Sequence, residues 1–330
     1  MNKLVKTLLT TSAFITCLSI NSVNAKWLEH KFNVMGTAAE IRFYQPDKMS
    51  EQQAKQLLQQ LVDVMHGVDE SMSPYKTTSE LSLINQQAYV KPLKISNELL
   101  TVISKAQHIA QLSEGIFDIT FASVGHLYQY REHIKPSDNE LQQAIQFINY
   151  QDILLDEQQS TIRFLKQGTK VDLGGIAKGF AVQTCLNILK QAGVQHALVN
   201  AGGDTGLLGD KFGQNWLVAI KHPRQADKQA ALLPLASEAI STSGDYERYF
   251  IEDGQRYHHI LNPKTGKSAT GLVSVSVIGP DAMTTDALST TLFILGKEQG
   301  FKLLDQFVGY EAIVIDHDLN MYFSKGLSTN

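Results

Sequence analysis

Apolar residues return at helical spacing in several stretches of the chain. The pattern is clearest near 50–68, where steps of three and four residues link Leu57, Leu58, Leu61, Val64, Met65 and Val68. Further helices are predicted near 97–113, 138–147 and 177–192. Gly193 follows the last of these, at the position where a left-handed residue commonly closes a helix.

Alternating apolar and polar residues predict strands elsewhere, most clearly at Val273, Val275 and Val277, which alternate with serine. Lys31–Tyr44 is predicted to form a strand or a strand pair, broken at Met35-Gly36-Thr37. The other predicted strands lie at 195–200, 215–221, 248–252, 272–278 and 311–315. Because helices and strands do not alternate regularly, we expect one α+β domain over 26–330, with mixed or antiparallel sheets and flanking helices. Whether this domain has two lobes stays open.

The first 25 residues have the pattern of a cleavable signal peptide. Lys3 and Lys6 form a positive region, an apolar stretch runs from Leu8 to Ile20, and the small-residue pattern Val23-Asn24-Ala25 follows. The apolar stretch is too short to cross a bilayer. We therefore expect export to a bacterial periplasm without a stable membrane anchor. A lipid anchor on Cys17 is the weaker alternative, because the residues before it are not small.

Composition excludes some functions and leaves others open. The formal net charge is −4, and cleavage after Ala25 would remove two lysines and make it −6. An acidic chain with mixed charges has no electrostatic reason to bind nucleic acid. Only Cys185 would remain after cleavage, so no internal disulfide is expected, and this cysteine fits an inert core thiol. With 43% apolar residues, the chain can build a substantial core.

Asp286 and Thr290 stand four residues apart in a predicted helix, which places a carboxylate and a hydroxyl on one face. Leucines, among them Leu288, lie on the opposite face. Hard oxygen ligands of this kind suit Mg²⁺, which leaves other coordination positions to phosphate or water. The alternative is that Asp286 is a solvated acid in the first turn and that Ser289 and Thr290 are ordinary helix hydroxyls.

Two Gly-Gly segments each carry an acidic residue. Asp172-Leu-Gly-Gly-Ile-Ala-Lys-Gly179 is predicted to be a strand-to-helix turn, where glycines let the backbone approach a ligand and Lys178 can meet a phosphate or a ribose oxygen. It matches neither a P-loop nor a dinucleotide-binding fingerprint, so a purely structural turn is the alternative. Asn200-Ala-Gly-Gly-Asp204 follows a predicted strand, and Asp204 either lines a site or makes local backbone bonds.

His259 is a candidate general base, because imidazole titrates near neutral pH, although its neighbour His258 blurs the assignment. A structural, hydrogen-bonded histidine is the alternative. The polar segment Ser241–Tyr249 is predicted to be a loop at the rim of a large ligand site.

Two further segments place an aromatic ring where a flat ligand could stack. Tyr75 follows Pro74 in a loop, with Ser79 as a possible cap of the next short helix. Phe117 and Asp118 pair a ring with an acid after a helix end, which suits a purine or flavin edge.

Taken together and in this order, these segments resemble the ApbE family, the FAD:protein FMN transferases. The resemblance covers nearly the whole chain after residue 25 and runs through Met35–Thr37, the Tyr75 segment, Gly115–Asp118, Asp172–Gly179, Asn200–Asp204, Thr242–Phe250, His258–Gly266 and Ala282–Thr290. It implies an exported, Mg²⁺-dependent enzyme that transfers the FMN half of FAD to a threonine hydroxyl of a target protein and releases AMP.

The resemblance also implies roles for individual residues. FAD contacts are implied for Met35, Tyr75, Ile116, Phe117, Asp118, Asp172, Lys178, His259 and Ser289. Met35 and Tyr75 would lie near the flavin, and residues 116–118 on the adenine or ribose side. The implied Mg²⁺ ligands are Asp286, Thr290 and a main-chain oxygen near Gly175. His259 and Asp286 would act in catalysis.

The implied partners are flavin-carrying subunits of membrane redox complexes, such as the Na⁺-translocating NADH:quinone oxidoreductase. Two alternatives use the same residues: a hydrolase that splits FAD into FMN and AMP, and a non-catalytic periplasmic FAD carrier. The chain departs from the family pattern at Ile116, Ile119 and Asn262, and at His126–His133, which is expected to influence the choice of target protein.

Overall fold

The computed structural model describes residues 26–328, so the predicted signal peptide at 1–25 lies outside the described residues. Within that range the strands are β1 (Trp27–Val34), β2 (Thr37–Tyr44), β3 (Leu93–Lys94), β4 (Ile153–Asp156), β5 (Thr161–Phe164), β6 (Ala197–Ala201), β7 (Asp204–Leu208), β8 (Trp216–Lys221), β9 (Gln229–Leu235), β10 (Ala239–Gly244), β11 (Tyr249–Glu252), β12 (Gln255–His258), β13 (Leu272–Gly279), β14 (Glu311–Asp316) and β15 (Met321–Phe323).

The helices of the same range are α1 (Glu51–Met72), α2 (Glu80–Gln87), α3 (Asn97–Leu112), α4 (Ala122–Gly125), α5 (Asp138–Ile145), α6 (Ala177–Gln191), α7 (Ala282–Leu295), α8 (Lys297–Leu304) and α9 (Lys325–Ser328). In the part of the chain that the structure describes, none of them combines the length and apolarity that crossing a membrane requires.

Eight strands form one sheet in the order β1-β2-β6-β7-β10-β13-β14-β15, and every neighbouring pair is antiparallel. Smaller antiparallel sheets join β3, β5 and β4, β8 with β9, and β11 with β12. The predicted α+β class with flanking helices is confirmed, and of the two sheet types left open, the antiparallel one is found.

Local signals account for the helix limits. Ser50 and Gln53 form a capping box at the start of α1, which runs past the predicted end at 68 to Met72. Ser79 caps α2, as predicted. The predicted helices near 97–113, 138–147 and 177–192 are confirmed within two residues at each end. Gly193 has a φ of 78°, in the left-handed region expected after α6.

Both faces of the large sheet are covered. On one face, Val275 and Val277 of β13 pack in the same core as Leu288 and Leu292 of α7. On the other face, the β8–β9 hairpin packs against the sheet through a cluster that includes Trp216. All eight residues of β13 are therefore buried, although its alternation of valine with serine is typical of a strand with one wet face. Its serines are satisfied by hydroxyl groups on the hairpin side, as in the 2.7 Å contact between Ser276 Oγ and Thr242 Oγ1.

Candidate active site

Helix α7 carries the predicted acid into the interior. Asp281 caps the helix by accepting a hydrogen bond from Thr284 N at 2.8 Å. The helix is buried on its polar side as well as on its leucine side, and Asp286 is only 3% exposed. The alternative of a solvated first-turn acid is therefore wrong. A buried carboxylate needs compensating partners, and α6 supplies them.

Helix α6 crosses α7 closely because Gly179 lies at the contact. A Cβ atom on Gly179 would come within 2.3 Å of the Ala282 carbonyl oxygen and 2.7 Å of Asp286 Cβ. The close approach lets Gly179 N donate to Asp286 Oδ2 at 2.9 Å. The crossing of α6 and α7 therefore requires glycine at this position.

Lys178 joins two buried carboxylates. Its Nζ lies 2.6 Å from Asp204 Oδ2 and 3.5 Å from Asp286 Oδ2. Burial disfavours the ammonium, but the two carboxylates outweigh this effect and raise the pKa of Lys178 above its ordinary value. Burial, and then the charge of Asp204, raise the pKa of Asp286. Asp204 follows the Gly202-Gly203 turn at the start of β7, and its carboxylate pairs with Lys178 rather than with local backbone groups.

Hydroxyl groups of β10 face α7 beside the acids. Ser243 Oγ lies 2.8 Å from Ser289 Oγ and 3.1 Å from Thr290 Oγ1. Ser241 Oγ is 2.8 Å from Thr285 Oγ1. The prediction of a loop over Ser241–Tyr249 is thus wrong for its first half, because residues 241–244 complete β10. Their polarity reflects the hydroxyl-rich surface of α7 that they face.

The turn before α6 lies against Thr290. A Cβ on Gly175 would stand 3.3 Å from Thr290 Oγ1 and 3.4 Å from the ring of Phe117. Over residues 26–328, Asp286 Oδ1 accepts no hydrogen bond, and no three His, Cys, Asp or Glu side chains cluster as a metal site. The Asp286 carboxylate, the Thr290 hydroxyl and the main chain of the Gly175 turn are therefore close together. Their oxygen atoms are hard donors of the kind that fit Mg²⁺.

Asp172 lies in this turn with its side chain engaged locally. Its Oδ1 accepts from Gly174 N at 2.6 Å, and burial raises its pKa. Residues 169–173 are not in a strand, so the predicted strand-to-helix turn is wrong on its strand side. Asp172 N instead donates to Ile119 O at 3.0 Å, which links this turn to the segment after α3.

Asp118 is buried and works as a local cap. Its carboxylate accepts from Thr120 N at 2.8 Å, from Thr120 Oγ1 at 2.6 Å and from Tyr150 N at 2.8 Å. Burial nevertheless raises its pKa. Phe117 is 4% exposed and Ile116 is half-buried. Beside them lies a pocket of about 350 Å³, lined in part by Gly115, Asp118, Tyr150, Pro263 and Lys264.

Two of the predicted flavin contacts lie on the surface. Tyr75 is 79% exposed in the turn between α1 and α2, where its N–H donates to Ser73 Oγ at 3.3 Å. Met35 is half-buried in the β1–β2 turn and has a φ of 51°. Both side chains are therefore reachable by a ligand.

The two adjacent histidines differ in their bonding. His258 Nε2 is 2.9 Å from Ala269 O, and its Nδ1 accepts from Ile260 N at 3.3 Å, so this ring is held by main-chain groups. His259 N donates to Arg248 O at 3.1 Å, but its buried Nδ1 has no hydrogen-bond partner among the described residues. Burial, aided by the charge of Arg248, lowers the pKa of His259 to about 3. His258 is the structural histidine, and His259 keeps a free ring nitrogen.

The segment His126–His133 packs beside these histidines. Tyr130 Oη donates to His258 O at 3.3 Å, and the ring of His133 stacks on Phe250 at 5.4 Å between centroids. The segment that departs from the family pattern therefore borders the candidate site.

Two residues of the site, Ser243 and Arg248, were given no individual role from the sequence. Both lie in the segment Ser241–Tyr249, which the sequence had placed at a ligand site. Their roles became visible only from their contacts with α7 and with His259.

The sequence profile of the ApbE family matches residues 35–314 of this chain. The FAD:protein FMN transferase of Vibrio cholerae serotype O1 is 34% identical over 281 residues, which cover 82% of each chain. The FAD:protein FMN transferase of Treponema pallidum is 30% identical over 312 residues, covering 89% of this chain and 86% of that protein. Among solved structures, the ApbE protein of Thermotoga maritima superposes with a TM-score of 0.82 at 31% identity, over 92% of this chain and 98% of that one. By the extent of these matches, the chain belongs to the ApbE family.

Proposed function

We propose that this protein transfers the FMN half of FAD to a threonine hydroxyl of a target protein, with Mg²⁺, and releases AMP. The observation that carries the proposal is the buried Asp286 carboxylate, which has one free oxygen and lies beside Thr290 and the Gly175 turn. The names of the Vibrio and Treponema relatives support FAD as the substrate and transfer as the reaction.

In this reaction the acceptor oxygen forms a bond to the FMN phosphorus. The bond between that phosphorus and the bridging oxygen breaks, and the bridging oxygen leaves on AMP with its electron pair. Asp286, Thr290 and a main-chain oxygen near Gly175 would hold Mg²⁺, which supplies neutralisation of the diphosphate charge when bound. Such reactions depend mainly on positioning and electrostatic stabilisation; Asp286 would contribute by holding the metal, and Lys178 by its position beside it.

The proton of the acceptor hydroxyl needs a base, and His259 is the candidate with a free ring nitrogen. A pKa of about 3 makes this imidazole neutral but weakly basic without substrate. The charge of Arg248 contributes to that low pKa. An anionic diphosphate nearby would offset this charge and raise the basicity of His259, so proton uptake would be coupled to substrate binding.

The signal-peptide pattern of residues 1–25 supports action in the periplasm. Flavin-carrying subunits of membrane redox complexes, such as the Na⁺-translocating NADH:quinone oxidoreductase, have segments that an exported enzyme could reach. We propose that the acceptor is a short exposed loop, because its hydroxyl must come within about 3–3.5 Å of the reacting phosphorus.

The test is incubation of the protein with FAD, Mg²⁺ and such a subunit, followed by mass spectrometry of the acceptor peptide. FMN on the threonine, absent from a threonine-to-alanine acceptor, is the expected result. Free FMN and AMP without labelled acceptor would instead identify a hydrolase. Bound FAD without AMP release would identify a carrier. Flavin on cysteine or histidine would contradict the proposed mechanism.

A further inference from the structure

Three arginines lie in or near the β10–β12 region, and a single buried acid neutralises two of them. Arg224 donates through both terminal nitrogens to Asp245, at 2.6 and 2.7 Å. Arg256 Nε lies 3.7 Å from Asp245 Oδ2, and its guanidinium stands 3.8 Å from the ring centre of Tyr249. Asp245 is only 2% exposed, and its charge is paired with these two arginines.

Arg248 is the third arginine, and its charge is not neutralised. Across residues 26–328, its guanidinium makes no hydrogen bond, ion pair or ring contact. The side chain is exposed, whereas its main chain is fixed, because Arg248 O accepts the hydrogen bond from His259 N. The fold thus holds a free cation at a defined place.

That place is beside the β1–β2 turn and next to His259. A Cβ atom on Gly36, next to Met35, would lie 3.5 Å from Arg248 Nη2, so the guanidinium reaches the β1–β2 turn. Its charge also acts on two residues of the site, opposing the raised pKa of Asp172 and lowering the pKa of His259. The cation therefore lies among segments that are far apart in the sequence.

The two neighbouring arginines, Arg224 and Arg256, both have a carboxylate partner in Asp245. A planar guanidinium without one, beside a site for a doubly charged substrate, fits a phosphate through two parallel hydrogen bonds. We propose that Arg248 binds the diphosphate of FAD. This inference rests on the proposed function, and it adds a phosphate contact separate from Lys178, whose ammonium is held by Asp204 and Asp286.

The test is calorimetric titration of the protein with FAD and with riboflavin, which keeps the flavin ring but carries no phosphate. Arg248→Ala should weaken FAD binding by about tenfold or more, the scale of a charge-assisted hydrogen bond, and leave riboflavin binding unchanged. Arg248→Lys should give an intermediate affinity, because it keeps the charge but not the planar fork. The salt dependence of FAD affinity should be shallower in Arg248→Ala than in the wild type.

Arg163→Ala is the matched control, because Arg163 is also an exposed arginine without an ion pair in the described range, but it lies on β5 in the small β3-β5-β4 sheet. It should leave both affinities unchanged. An equal loss for FAD and riboflavin in Arg248→Ala, or an unchanged FAD affinity and salt dependence, would overturn the assignment of Arg248 alone. A wild-type protein that does not bind FAD would overturn the proposed function, and this inference with it.

Discussion

The candidate site has two regions built on opposite principles. The crossing consists of Lys178, Gly179, Asp204 and Asp286. Gly179 and the two acids are buried, Lys178 is half-buried, and the four are closely packed and joined by a hydrogen bond and ion pairs. The rim consists of Met35, Tyr75 and Arg248, whose side chains are partly or largely exposed.

The difference between the regions follows from the cost of burying charge. In the crossing, a buried carboxylate or ammonium is tolerated only with partners, so position and charge are fixed before any ligand arrives. At the rim, water solvates each group, and a ligand can replace that water. Substitutions in the crossing should therefore damage stability or chemistry, whereas substitutions at the rim should change affinity alone.

The largest effect is expected for Gly179→Ala. The new methyl group would overlap the Ala282 carbonyl at 2.3 Å, so α6 and α7 must separate and the bond from Gly179 N to Asp286 must break. We expect a loss of about 3 kcal/mol or more in the free energy of unfolding, measured by urea titration, together with loss of activity.

Gly67→Ala is the control for this change. Gly67 lies inside α1 with no atom within 4 Å of an added Cβ, so the substitution should stabilise the protein by about 0.5–1 kcal/mol. If Gly179→Ala unfolded at the same urea concentration as the wild type, the crossing would not be as tightly packed as described.

Asp286→Asn separates charge from packing in the crossing. The substitution keeps the shape of the side chain and leaves Lys178 paired with Asp204 at 2.6 Å, so the free energy of unfolding should change by less than about 2 kcal/mol. AMP release should fall at least about a hundredfold, the scale of losing one preorganised electrostatic contact. Excess chelator should reduce AMP release by the wild type to a similar extent.

Asp227→Asn is the control, because Asp227 is an exposed acid. This variant should release AMP at the wild-type rate. Wild-type activity in Asp286→Asn, or turnover in metal-free buffer with chelator, would remove the metal role from this carboxylate.

His259 lies between the two regions and should make stability depend on pH. Its folded pKa is lowered to about 3, below an ordinary value of about 6.5, so the unfolded chain binds the proton more readily. The stability this gives is present above pH 6.5 and is lost as pH falls toward 3. Between pH 7 and pH 5 the wild type should lose about 1–2 kcal/mol more than His259→Asn, by urea unfolding at both pH values. Equal losses would mean that His259 is not buried as a neutral ring.

The smallest effect is expected at the rim. Tyr75→Ala should weaken FAD binding by several-fold, since aromatic stacking contributes about 0.5–1.5 kcal/mol, and should leave unfolding unchanged because the ring is 79% exposed. Tyr75→Phe keeps the ring and should bind FAD like the wild type. Calorimetric titration measures both, and equal affinities in all three proteins would exclude a flavin contact at Tyr75.

Much of the fold could be predicted because its signals are local. Apolar steps of three and four residues indicated α1, α3, α5 and α6 within a few residues, and Ser79 indicated the start of α2. Residues 241–244 of β10 were predicted as part of a loop because they are polar. In the structure their hydroxyl groups contact hydroxyl groups of α7 and β13. Periodicity cannot identify a buried strand whose neighbours are hydroxyl groups rather than apolar side chains.

The sequence by itself determined the family and predicted which residues carry the chemistry, because the four-residue spacing of Asp286 and Thr290 and the order of the motifs are properties of the chain. Only the tertiary structure decided how those residues act. It brought Gly179 N to Asp286 across 107 residues and paired Lys178 with Asp204. It bonded the His258 ring to the main chain and left His259 Nδ1 without a hydrogen-bond partner among the described residues. It also left Arg248 without a carboxylate partner among residues 26–328. Burial, pairing and the pKa of a group depend on atoms brought together from distant segments, and no local pattern records which segments will meet.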